Sequence, residues 1–278
     1  MNILQKVLGI LSVMLSLTAQ ATLISNGTTE FVTFRDCIAG SSGCDNLSRV
    51  LMSSSGGVPG DTSSSANATY TGYGSASGSV ALSGSIGAPI LKASATSEFG
   101  KRVNTNSVAL QRYTYDGMVA ATRTFGGTLT YSQALTGVYP NGVGTGIFAA
   151  IDIFSLPGMT VDVGASPAAY FNDMISENFA GYANIARAEY QDRTSTSSGV
   201  GTLSVDVVLN PGDTVWVWTL LQTPAANGST VDASHTFITQ WNNIAGLTPA
   251  AAIPEPESLG LLCLALASAS VALRRGMN

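Results

Sequence analysis

Histidine-based acid–base chemistry in this chain would have to pass through a single residue, His235. A Ser-His-Asp relay needs a hydroxyl and a carboxylate within hydrogen-bond reach of the imidazole. Ser234 and Asp232 are its neighbours in sequence. On a strand, alternation would send both to the face opposite His235, and no G-x-S-x-G elbow presents a nucleophile. The sequence therefore assigns no catalytic residue. Glycoside hydrolysis would need two carboxylates flanking a bond. Asp152, Asp162, Asp173, Glu177 and Glu189 are available, but no spacing pairs any two of them. Calcium could draw on Asp162, Asp173 or Asp213, yet no D-x-D-x-D-G loop occurs. Zinc would lack ligands, with one His and three Cys in the chain. Neither a metal site nor a cofactor is expected. Trp216, Trp218 and Trp241 could stack on sugar rings. Trp216 and Trp218, two residues apart, share a strand face that reads first as core and second as a sugar platform.

The elements that would position these residues are strands. Runs with period-two alternation are separated by turn residues at about ten-residue spacing, and helical periodicity is almost absent. Residues 22–252 are read as one antiparallel β-sandwich or jelly-roll domain, an all-β fold. Thr22–Val32 is expected to be the first strand, and Ser53–Ala66, rich in Ser and Gly, a turn or loop. Tyr70 to Leu82 reads as one long strand with glycine kinks. Leu91, Ala93 and Ala95 share a face of the next. In Arg123–Leu135, Gly126-Gly127 suggests a bulge. Phe179–Tyr190 fits strand or helix. Gly201–Leu209 and Thr214–Leu221 form a hairpin about Asn210-Pro211-Gly212-Asp213, with Pro ahead of Gly as type II turns prefer. Ala233–Trp241 closes the domain.

The net charge is −5 and only 10% of residues are charged. That excludes the basic footprint of a nucleic-acid binder. Few charges with abundant Ser, Thr, Gly and Ala suit an extracellular domain whose polar surface is made of hydroxyls and amides. Cys37 and Cys44 flank a small flexible spacer, Ala39-Gly40-Ser41-Ser42-Gly43. In an oxidising compartment they are expected to form one small disulfide.

Both ends carry targeting segments. Residues 1–21 have the layout of a secretory signal peptide: Lys6, an apolar stretch from Val7 to Leu17, and an Ala19-Gln20-Ala21 cleavage site. Residues 253–278 begin with Pro254-Glu255-Pro256, where the two prolines enforce an extended peptide. An uncharged run from Leu259 to Leu273 follows. As a helix it would span roughly 22 Å against a bilayer core of about 30 Å. Arg274-Arg275 then suit a cytoplasmic stop. This order of parts resembles the PEP-CTERM sorting signal of Gram-negative bacteria. The resemblance implies processing by an exosortase, a transient anchor through the C-terminal membrane helix, and final residence at the cell surface or in the extracellular matrix. Segments of the domain, Gly127–Gly137, Leu209–Leu221 and Asp232–Phe237, are similar to a β-domain common in that family, and they carry no catalytic residues to transfer. The expected role is non-enzymatic: structural or adhesive, in polysaccharide, biofilm or floc. The alternatives are a carbohydrate-binding jelly-roll module and, third, a secreted hydrolase.

Overall fold

The computed structural model describes residues 26–36, 50–56, 60–136, 145–155, 183–193 and 197–250. Among them there are thirteen strands and no helix. The strands are β1 (Asn26–Asp36), β2 (Val50–Gly56), β3 (Ser63–Tyr70), β4 (Gly74–Ser83), β5 (Ala88–Ser97), β6 (Lys101–Tyr115) and β7 (Ala121–Ala134). After them come β8 (Ile147–Ser155), β9 (Ala183–Asp192), β10 (Ser197–Leu209), β11 (Thr214–Ala226), β12 (Thr230–Trp241) and β13 (Leu247–Pro249). Two antiparallel sheets face each other. Sheet A runs β2-β1-β6-β11-β8-β9, with β13 also on β6, and sheet B runs β10-β7-β12-β5-β4-β3. The expected sandwich is present. The signal and sorting segments, including Ala19, Ala21, Pro254, Glu255, Pro256, Arg274 and Arg275, lie outside the described residues, as do Cys37 and Cys44. No helix among the described residues is long and apolar enough to cross a membrane.

The core lies between the sheets. Alternation supplies it: Leu91, Ala93 and Ala95 from β5, Phe125, Leu129 and Tyr131 from β7, and Leu203, Val205 and Val207 from β10 all point inward and are buried. Sheet A contributes Val32, Phe34, Ile151, Val217 and Leu221. The central strands of sheet A are buried on both faces, which explains their nearly continuous apolar runs. Hydroxyls also tie the two sheets together. Thr105 and Ser107 of β6 donate to the Ser94 and Lys92 carbonyls of β5, each at 2.7 Å.

Several sequence expectations are corrected. The Ser/Gly-rich stretch before Ala66 forms β2 and β3 rather than one loop, because small side chains let Ser64 and Ala66 pack inward while alternate serines face out. The long strand through Tyr70 and Leu82 is a hairpin, β3–β4. Its glycines make the turn: Gly72 and Gly74 have φ of 79° and 127°, which L side chains rarely adopt. Gly126-Gly127 is not a bulge, since β7 pairs with β10 without a register shift there. Those glycines permit close approach instead. A Cβ on Gly127 would sit 2.7 Å from the Ile238 carbonyl oxygen. The first strand runs on past Val32 to Asp36, with Asn26–Asp36 described, and residues 183–192 are strand, not helix. The β10–β11 turn is as expected: Asp213 N–H donates to Asn210 O at 3.0 Å, and Gly212 has φ of 89°.

Candidate functional site

The outward face of sheet B is built from the residues that alternate with its core. One row crosses the sheet in register: Asn67, Ser77, Ser94, Asp232, Ser132 and Ser198, one from each strand. A second row runs Thr69, Ser75, Thr96 and Thr230. Neighbouring strands lie about 4.8 Å apart, so hydroxyls recur at near-contact spacing. Ser77 and Ser94 share a hydrogen bond at 2.7 Å, and Thr96 and Thr230 one at 3.3 Å. Ionised side chains on this face are Lys92, Asp206 and Asp232. Ile238, Val200 and Val208 add exposed methyl groups. An exposed sheet face normally carries charge on many outward positions; this one offers hydroxyls and methyls.

Strand β12 interrupts the face. Between Ala233 and Phe237 its register against β5 shifts, so that Ser234, His235 and Thr236 stand opposite Lys92 alone. The register against β7 shifts in the same place. Bulges re-aim side chains and are common beside functional sites. Thr236 has φ of 113°, an outlier for a β-branched residue and a mark of backbone strain. Asp232 braces the bulge by accepting the Ser234 N–H at 2.8 Å. Two grooves lie beside it. One of about 330 Å³ is lined by Asn67, Ser77, Ser79, Lys92 and Ser234. The other, of about 490 Å³, is lined by Ser63, Ser65, Ser79, Ile90 and Lys92.

The bulge overturns the argument that strand alternation separates Ser234 from His235. Both are exposed. No hydrogen bond joins His235 to Ser234 or Asp232, and the Asp232 carboxylate is engaged with backbone, so the three do not form a relay. Of the candidate hydrolytic carboxylates, Asp162, Asp173 and Glu177 lie outside the described residues. Asp152 and Glu189 do come together, on the outward face of sheet A, through Arg187. Arg187 Nη1 donates to Asp152 Oδ2 at 2.9 Å, and its Nη2 lies 2.8 Å from Glu189 Oε1. Asn184 Nδ2 donates to both Asp152 oxygens, at 2.7 and 2.8 Å. Asp152 is fully buried. This is a hydrogen-bonded cluster of two carboxylates sharing one guanidinium, not two carboxyls flanking an open bond. Asp213 accepts the Asn210 N–H at 2.7 Å and closes the turn. Among the described residues no three His, Cys, Asp or Glu side chains converge to hold a metal ion.

The tryptophans divide. Trp216 and Trp218 share a face as expected, and it is the outward face of sheet A: their register partners there are Phe154 and Asp152, while Val215 and Val217 point to the inter-sheet core. Both indoles are buried. Trp241 lies in the inter-sheet core and is removed as a sugar platform. The hydroxyl rows were missed as a site, although the Ser/Thr content of these strands announced them. Register alone shows which hydroxyls align.

No family model matches the chain, and no curated protein does either. Among solved structures it is similar to a family 61 carbohydrate-binding module solved with β-1,4-galactotriose, at TM-score 0.25 and 6% identity, covering 65% of this chain and 81% of that one. It is also similar to a family 16 carbohydrate-binding module, at TM-score 0.23 and 12% identity, with coverage of 64% and 90%. A third is a promiscuous carbohydrate-binding module of the β-sandwich superfamily, at TM-score 0.26 and 8% identity, with coverage of 80% and 94%. Likenesses of this size carry no residue correspondence.

Proposed function

We propose that this chain is a non-catalytic β-sandwich module that holds neutral polysaccharide on the outward face of sheet B. The observation that carries this reading is the in-register hydroxyl row from Asn67 to Ser198, in a face whose charges are limited to Lys92, Asp206 and Asp232. An uncharged glycan offers hydroxyls and CH faces. A surface of hydroxyls and methyls meets both without stranding a buried charge. The strained bulge at Thr236 and the flanking grooves break an otherwise regular face and give a chain end or branch a place to seat.

The test is co-sedimentation of the protein recovered from culture with insoluble neutral polysaccharides, including the host's own extracellular polymer. Ser77→Glu with Ser94→Glu puts two desolvation-costly charges at the centre of the row. Binding is expected to weaken at least tenfold, about 1.4 kcal/mol. Ile244→Glu, at an exposed residue off the face, is expected to bind as the parent does. Equal binding by the double variant would remove the reading.

The ends of the chain support export. The signal segment at 1–21 and the Pro254-Glu255-Pro256, Leu259–Leu273, Arg274-Arg275 series fit passage through the inner membrane, exosortase processing and release to the surface or matrix. Intact mass of the protein from the medium is expected to lack both ends, with its C-terminus near Pro254–Glu257. A mass retaining Arg274-Arg275, found in the envelope alone, would mean a permanent anchor and end the sorting reading.

A further inference from the structure

Among the described residues sheet B stops at β3 on one side and β10 on the other, each pairing with one neighbour, β4 and β7. An edge strand presents unpaired N–H and C=O groups, and proteins usually blunt it with charge, proline or a bulge. Strand β9, an edge of sheet A, is blunted: it carries Arg187, Glu189 and Asp192. Strand β3 reads SSSANATY, with neither charge nor proline. Strand β10 has Asp206 as its one charge in 13 residues.

The ladder phase shows which groups of β3 are spare. Leu82 N–H donates to Thr62 O at 2.8 Å. With Ser64 opposite Val80 and Ala66 opposite Gly78, the even-numbered residues of β3 make the bonds to β4. The backbone groups of Ser63, Ser65, Asn67 and Thr69 therefore point to the outer edge, on which no described strand lies.

Strand direction adds a constraint. Sheet B has six strands, each antiparallel to the next, so β3 and β10 run in opposite directions. A second copy needs only translation, with the usual sheet twist, to bring its β10 antiparallel against β3 of the first. The Asn67–Ser198 row ends on both of these strands, so the joint would continue it.

We propose that copies of this chain join head to tail, β10 of one adding to β3 of the next. Such a contact is heterologous, does not close on itself, and generates an open filament whose hydroxyl face runs along one side. The equivalent head-to-tail joint through sheet A would need β9 against β2, and the charges on β9 disfavour it. The joint uses backbone edges and not the face proposed to hold polysaccharide, so either idea can fail alone.

The experiment is sedimentation velocity across a concentration series on the protein recovered from culture. The parent is expected to give a ladder of species that extends beyond two copies as concentration rises. Asn67→Pro deletes an edge N–H that the monomer does not use, and Val200→Lys puts a gatekeeper charge on the outward side of β10. Each alone is expected to stop at one copy, with its thermal transition near the parent's. Mixed, they are expected to form a species of two copies, because each retains the edge the other lacks. If Asn67→Pro does not fold, Asn67→Lys takes its place. A parent that stays monomeric, a ladder that stops at two, or a mixture that does not pair would each overturn the proposal.

Discussion

Trp241→Ala is expected to cost about 3–5 kcal/mol of folding stability, the range for removing a large aromatic from a packed core. Trp241 is 4% exposed. Its indole packs edge-on against Tyr113, at 5.4 Å and 86°, and against Phe125, at 5.0 Å and 68°. These two rings come from opposite sheets, so the indole joins the layers where the ends of β6, β7 and β12 meet. Each aromatic pair contributes about 0.5–1.5 kcal/mol beyond area burial. The Tyr113 hydroxyl is pushed well above its ordinary value by burial, with the Trp241 indole opposing the shift. Removing the indole leaves that hydroxyl in a cavity. Since domains of this kind are stable by about 5–15 kcal/mol, the loss is a large fraction of the whole. Denaturant melts should show a lower midpoint with an unchanged slope. Polysaccharide binding measured well below the melting temperature should be unchanged. A variant of parental stability that no longer binds glycan would restore Trp241 as a sugar platform.

The strands were legible where side-chain alternation was strong or a turn was chemically marked. Leu203, Val205 and Val207 alternate with polar residues, and Pro211-Gly212 names its own turn, so the β10–β11 hairpin could be read directly. Strand β3 could not be. Its inward residues include Ser64 and Ala66, and a face of that kind has no apolar period. For Trp216 and Trp218 the shared face was legible and the layer was not, because β11 is buried on both sides and either parity looks like core. The bulge in β12 left no mark in the sequence: its displaced residues, Ser234, His235 and Thr236, differ in no way from ordinary strand residues. Composition showed that the surface would be hydroxyl-rich. It could not show that Asp232 lies between Ser94 and Ser132, since that alignment is fixed by the pairing of strands distant in sequence.

Glu30→Leu is expected to stabilise the fold at neutral pH by about 1–3 kcal/mol, the penalty measured for a buried polar group without a partner. Glu30 stands on β1 with its side chain in the inter-sheet core and is fully buried. Its carboxyl fills the space that a Gly78 side chain would take: a Cβ there would lie 2.0 Å from Oε1. Neither carboxyl oxygen has a hydrogen-bond partner among the described residues. Ser107 is its register partner, but the Ser107 proton is committed to the Lys92 carbonyl. Thr28, Val32, Ser107 and Gly78 around it carry no charge. Burial therefore raises the Glu30 carboxyl well above the ordinary carboxylate range, and Ser107 opposes this only in part. The folded state then keeps a proton that the unfolded chain loses near pH 4.3. Folded protein binds more protons than unfolded between the unfolded pKa and the raised folded one, so stability falls as pH rises through that interval and levels off above it. Other carboxylates contribute their own slopes, and the difference between parent and variant isolates Glu30. Melts across pH should show the gap between Glu30→Leu and parent opening as pH rises above about 4.3. A gap that is constant with pH would mean that Glu30 titrates normally in the fold. Gly78→Ala supplies the geometric check. It should cost more beside Glu30 than beside Glu30→Ala, because the closest contacts of the added methyl are all with the Glu30 carboxyl.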